Sequence, residues 1–256
     1  MLKLLLDGDV IAWRIALRYE EAIDFGDGLF TWWADFNKAK PAVEFFVYDL
    51  LAVTKADDVI ICLSDTDNFR KTVNPQYKEN RKARYTPLLI NPIKQYLSKA
   101  FESRLWATLE ADDVMGLTAT NNDPHTYIIA TIDKDLLQIP GQHYNWDKPE
   151  KGVFEVSPTL ASQFFYQQIL SGDAVDGYTG CVGIGPIKAQ RIVSKHWADG
   201  EPQLWKEIVN TYVKQAKLTQ STAEKVARTQ ARCARILQGT DYDPQTGRLQ
   251  LWTPPE

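Results

Sequence analysis

Histidine and cysteine are both scarce, three of each among 256 residues. Cys62, Cys181 and Cys233 are odd in number, widely separated and never spaced as CxxC. That argues against a disulfide framework or a zinc site and fits a reducing, cytoplasmic setting. His125, His143 and His196 are equally scattered, which argues against a histidine-built metal or nucleophile site. Long apolar runs are missing as well. Leu4-Leu5-Leu6 is far too short for a signal peptide or a membrane span, so no membrane partner is expected. No GKS or GKT follows any glycine turn, which removes a Walker phosphate loop. What is present is an ordinary globular composition, 44% hydrophobic and 24% charged. It suits one large domain or two modest ones with a sizeable core.

Charge of one sign is also locally absent. The net charge is −4, yet residues 7–67 carry 13 acidic against 5 basic side chains. Residues 70–104 reverse this to 9 basic against 2 acidic, and residues 183–237 carry 10 against 4. Such blocks are either solvated helix faces or a footprint for phosphate, whose contacts depend on local Lys and Arg density.

The acids themselves form clusters. Leu2–Leu6 reads as a buried strand closed by Asp7-Gly8-Asp9 and a helix; Asp9 has an alternative role as the cap of that helix. Asp58–Leu63 reads as a second buried strand, ending in Ser64-Asp65-Thr66-Asp67. Tyr127–Ile132 is a third, followed by Asp133 and Asp135. Glu110, Asp112 and Asp113 open a helix, with Glu110 and Asp113 on one face. Three buried strands that each end in aspartate, with helices between them, predict a central, mostly parallel α/β sheet whose acidic ends converge. So many carboxylates in one place are costly unless a cation sits among them, and hard divalent ions with oxygen ligands are the usual solution.

Two further stretches carry chemistry. Between Arg70 and Tyr85 the chain interleaves Tyr77 and Tyr85 with Lys71, Lys78, Arg81, Lys82 and Arg84. This pattern suits a groove for single-stranded nucleic acid, or else an ordinary exposed loop. From Leu160 to about Gln238 the pattern is helical. It contains Ser171-Gly172-Asp173-Ala174-Val175-Asp176-Gly177 and a Gly183-Ile184-Gly185-Pro186 turn. That turn exposes backbone N–H groups at a helix start, ready for a phosphate.

In their order, LLLDGD, LSDTDNFRK, YKENR, EADD, TIDKDLLQI, GDAVDG and VGIGPIKA resemble the flap endonuclease / 5′-to-3′ exonuclease superfamily, and within it the phage exonucleases. The resemblance covers roughly Leu2 to Leu237. It implies an α/β nuclease core over residues 1–160, with a short basic arch at about 69–105. A helical DNA-binding region with a helix-three-turn-helix element and a C-terminal tail would follow over 161–256. It implies two divalent ions, Mg2+ or Mn2+: one site from Asp7, Asp65, Glu110, Asp112 and Asp113, a second from Asp133, Asp135, Asp173 and Asp176. Lys78 and Arg81 would act on the scissile phosphate, and Tyr77 would stack on a base. Arg70, Lys82, Arg84, Gly183, Gly185 and Lys188 would contact DNA. The backbone of Val182 and Ile184 would hold K+. The implied activity is metal-dependent exonuclease or flap endonuclease hydrolysis of DNA at duplex ends, nicks and 5′ flaps. The implied setting is a monomer acting in phage replication in a host cytoplasm. A PIN-type ribonuclease and a non-catalytic DNA-binding relative remain as alternatives. The helical region argues against the first, and the full set of carboxylates against the second.

Overall fold

The structure, a computed structural model, describes residues 1–81, 85–121 and 125–256. Its chain divides into two compact units. Unit 1 comprises Met1–Asp67, Arg84–Leu136 and Gly141–Glu155; unit 2 comprises Asn68–Ala83, Leu137–Pro140 and Val156–Glu256.

In unit 1 the chain begins with β1 (Leu2–Asp7) and α1 (Gly8–Arg18), then a hairpin of β2 (Glu20–Asp24) and β3 (Phe30–Ala34). It continues through α2 (Phe36–Thr54) and β4 (Asp58–Cys62). The apolar runs of β1 and β4 are buried at almost every position, as strands covered on both faces must be. Helix α2 starts at Phe36, five residues before Pro41, the position where a helix-opening proline would place its start. Asp35 caps it by accepting from Asn37 N at 2.9 Å, and the proline is carried inside at the cost of one backbone hydrogen bond.

After the short α3 (Arg70–Val73), which belongs to unit 2, come α4 (Ile90–Ala100), β5 (Glu102–Arg104), α5 (Ala111–Thr120), β6 (Thr126–Ala130), β7 (Gly141–Tyr144) and β8 (Phe154–Val156). The six-stranded sheet runs β5-β4-β1-β6-β7-β8. β1 is central, pairing in parallel with β4 on one side (Asp7 opposite Cys62) and β6 on the other (Leu6 opposite Ala130). The carboxyl ends of β4, β1 and β6 therefore lie side by side, where open α/β sheets place their chemistry. β6 ends two residues short of the apolar run, because the Thr131 Oγ1 accepts from Asp133 N at 3.0 Å and turns the chain.

Unit 2 is helical: α6 (Pro158–Ser171), α7 (Pro186–His196), α8 (Glu201–Ala216) and α9 (Gln220–Ala234). They pack around Phe165, Ile169, Ala189, Val193, Leu204, Ile208, Tyr212 and a row of alanines on α9. Tyr77 is part of that core. Gly172 and Gly180 meet backbone to backbone at the neck of the loop between α6 and α7. A Cβ on Gly172 would lie 2.3 Å from Thr179 C, and one on Gly180 2.3 Å from Gly172 N, and both have positive φ. Among the described residues, no helix is long and apolar enough to cross a membrane.

Candidate active site

Asp7 ends β1 and caps α1, so the two roles that the sequence divides between Asp7 and Asp9 fall to one residue. Its Oδ1 accepts from Asp9 N at 3.1 Å and Val10 N at 3.0 Å, and the side chain is 3% exposed. Burial pushes its carboxyl up to about 7, aided by the charges of Asp9 and Asp133, and outweighs the two backbone hydrogen bonds. Asp9 is held by Lys94 Nζ at 2.8 Å and accepts from Ser64 N at 3.2 Å. The same neighbourhood registers at Cys62. Burial pushes its thiol up, Arg104 opposes this, and the charges of Asp7, Asp112 and Asp9 add to the rise.

Asp65 is set beyond β4 by two backbone donors, Thr108 N at 2.8 Å and Thr66 N at 2.7 Å, which hold its carboxyl below the usual range. Glu110 and Asp113 form a reciprocal capping box at the start of α5, with Asp113 wholly buried. They thus have a helix-starting role that the reading of them as metal ligands did not include. Asp133 and Asp135 follow β6, and Asp133 Oδ1 accepts from Asp135 N at 2.8 Å. Among the described residues, no three His, Cys, Asp or Glu side chains converge on a single point.

In unit 2 the segment 77–81 is fastened to the 173–178 loop. Lys78 N donates to Asp176 O at 2.8 Å, and Asn80 Nδ2 donates to Ala174 O at 3.2 Å. Asp176 takes Lys78 Nζ at 3.5 Å, Arg81 through a close ion pair, and the Tyr77 hydroxyl at 3.1 Å. Asp173 Oδ1 accepts from Val175 N at 2.8 Å and shapes the loop.

Two of the expected DNA contacts are corrected. Tyr77 is 3% exposed with its hydroxyl on Asp176, so its ring packs in the core and is not offered to a base. Arg70 is 1% exposed; its Nε donates to Cys233 O at 2.9 Å and an NH2 to Arg235 O at 2.5 Å. A guanidinium committed to buried carbonyls is a structural tie. Lys82 and Arg84 lie outside the described residues. At the glycine turn, Gly183 has φ +73°, Gly185 caps α7, and Lys188 Nζ donates to Gly183 O at 2.9 Å. Val182 is exposed and Ile184 buried on either side of that carbonyl.

One feature of the site escapes the sequence reading. Val10, Trp13 and Leu17 stand on the outer face of α1 and, with Asp9, Arg14 and Ile132, line a shallow apolar hollow of about 530 Å³. Trp13 is 40% exposed. The signal is a second apolar stripe, spaced three and four, beside the buried one of Ile11, Ala12, Ile15 and Ala16.

Relatives of several kinds match the chain. The model of the 5′-3′ exonuclease N-terminal resolvase-like domain matches residues 3–161. An exodeoxyribonuclease of Enterobacteria phage T3 is 26% identical, over 98% of this chain and 92% of its own length. An exonuclease of Escherichia phage T7 is 25% identical, over 98% and 93%. The flap endonuclease Xni of Shewanella pealeana is 32% identical, over 52% of this chain and 57% of its own. Among solved structures, the T5 5′-exonuclease with divalent metal ions (zinc) bound has a TM-score of 0.64 at 14% identity. That match covers 91% of this chain and 89% of the other, and is a likeness of fold.

Proposed function

The chain belongs to the 5′-3′ exonuclease family, and from that premise we propose that it hydrolyses DNA phosphodiester bonds as a metal-dependent 5′-to-3′ exonuclease that also cuts 5′ flaps. The observation that carries the reading is Asp7: a carboxylate at the end of the central strand, pushed up first by burial and then by Asp9 and Asp133, with Asp112 in the same field. A site that repels its own charges is one that a cation relieves.

The donor set fits a hard divalent ion, Mg2+ or Mn2+, in kind. Carboxylates that do not form a ready-made cage suit an ion that keeps several waters and takes one or two carboxylates plus substrate oxygens. In unit 1, Asp7, Asp65, Asp112, Asp133 and Asp135 are the groups to hold it, with Glu110 and Asp113 at the head of α5 behind them. In unit 2, Asp173 and Asp176 are the carboxylates open to the same chemistry. A divalent ion held there would supply a polarised water and charge stabilisation for the leaving oxygen.

The chain's own residues supply the rest. Lys78 and Arg81 share Asp176 as counter-ion, and a substrate phosphate competes for the same two cations. The exposed indole of Trp13 gives an unpaired base a face to stack on. Around Gly183 and Gly185 the open N–H groups at the start of α7 suit a backbone phosphate, with the carbonyls of Val182 and Ile184 available to K+.

End-labelled blunt, nicked and flapped DNA, with an RNA strand in parallel, tests the reading with and without Mg2+. Release of short 5′ products from DNA only when Mg2+ is present is the expected result. Cleavage confined to RNA, or DNA binding without cleavage in any divalent metal, overturns it.

A further inference from the structure

Unit 2 holds a hollow of about 280 Å³, lined by Asn74, Gln76, Gly177, Thr179, Lys225, Val226, Thr229 and Gln230. None of these lining side chains is acidic. The walls are fixed. Gly177 (φ +75°) lies so close to the 76–78 backbone that a Cβ there would sit 2.7 Å from Gln76 O. Asn74 Oδ1 accepts from Gln76 N at 3.1 Å and steadies the same wall.

Gln230 gives the hollow its character. It is 7% exposed, and its Oε1 accepts from Gly180 N at 2.8 Å. An N–H can only donate, so the bond fixes which end of the amide is oxygen and leaves Nε2, with two donors, for the hollow. Among the described residues, Nε2 meets no acceptor. Lys225 is exposed on the same helix and forms no ion pair among the described residues; Thr229, one turn on, donates its hydroxyl to Lys225 O at 3.1 Å. The nearest acid in sequence, Glu224, is taken by Arg228 at 2.5 Å. An ammonium and an amide NH2 facing one space, with no carboxylate beside them, form a receptor for an oxyanion.

We propose that this hollow is a phosphate site, separate from the glycine turn of α7, with Lys225 and Gln230 as its donors. Its ligand is either a phosphodiester of a bound DNA strand or the 5′-phosphate of a free nucleotide. In the first case it rests on the nuclease reading and adds an anchor on α9.

The test measures DNA binding by the full chain without divalent metal, from 50 to 200 mM salt, for wild type, Lys225→Ala and Gln230→Glu. The glutamate keeps an acceptor for Gly180 N–H and replaces the donors by charge. With a strand phosphate in the hollow, Lys225→Ala loses affinity roughly three- to tenfold. Its slope of log K against log salt becomes shallower by about 0.9. Gln230→Glu loses more. In the other arm, titration of dAMP gives saturable binding to wild type that both variants lose, with DNA slopes unchanged. If neither DNA slope nor dAMP binding changes in Lys225→Ala, the proposal is overturned, whether or not Gln230→Glu folds. Cleavage measured on the same proteins is independent: a wild type that binds but never cuts defeats the nuclease reading and leaves this site standing.

Discussion

At the scale of single residues, chemical type is legible in the sequence, whereas the partner is not. Asp7 is legible as the acid that closes a buried strand, because the apolar run leads straight into it. Its burial depth, and hence its raised carboxyl, needed the fold. In the metal-free protein the sign follows directly. A carboxyl at about 7 when folded and 3.8 when unfolded holds its proton more tightly in the folded state. Stability therefore falls as pH rises from about 4 to 7, and the full penalty applies above that. Asp7→Asn keeps the cap on α1 and should stabilise the metal-free protein at pH 8 by on the order of 2–4 kcal/mol. It should also flatten that pH dependence and abolish cleavage; thermal melts from pH 4 to 8 and the labelled-DNA assay read the two effects.

Arg70 shows the opposite case, a cation in a basic block that the fold uses internally. Arg70→Met strands the buried carbonyls of Cys233 and Arg235 and should cost roughly 2–4 kcal/mol in urea denaturation. The salt slope of DNA binding should stay as in wild type; a slope reduced by about 0.9 would restore Arg70 as a phosphate contact.

At the scale of elements, the three buried strands and their parallel pairing are legible because runs of Leu, Ile and Val bounded by Asp and Gly have few other structures; only β1 ends on its aspartate, while Asp65 and Asp133 lie three residues beyond β4 and β6. The fastening of residues 77–81 to the 173–178 loop is not legible. It joins segments about a hundred positions apart through backbone groups and one carboxylate, which leave no periodic trace. The outer stripe of α1 lies between these cases, present in the spacing but masked by the buried stripe beside it. If Trp13 stacks on a base, Trp13→Ala should raise KM for flapped DNA roughly five- to fiftyfold with little change in Tm, and Trp13→Phe should recover most of it. A fall in Tm with KM unchanged would make the indole a packing residue instead.

At the scale of the whole molecule, two of the three charge blocks of the sequence fall in different units, and the basic span 70–104 is divided between them. The acidic span 7–67 lies entirely in unit 1 and the basic span 183–237 entirely in unit 2. The overall charge of −4 therefore says little about affinity for DNA. Ligand linkage gives a check on the metal that does not depend on cleavage. Mg2+ at a hundred times its Kd should stabilise wild type by about 2.7 kcal/mol. The matching rise in Tm should shrink or vanish in Asp7→Asn. An equal rise in both proteins would place metal binding elsewhere.

The closure at Gly172 and Gly180 has a consequence for how this protein can change. Because the two backbones touch there, residues 173–179 form a cassette with a welded mouth. The mouth itself admits no side chain, and within the loop Asp173, Asp176, Gly177 and Tyr178 are committed to contacts of their own. Variation should therefore be confined to the exposed Ala174, Val175 and Thr179.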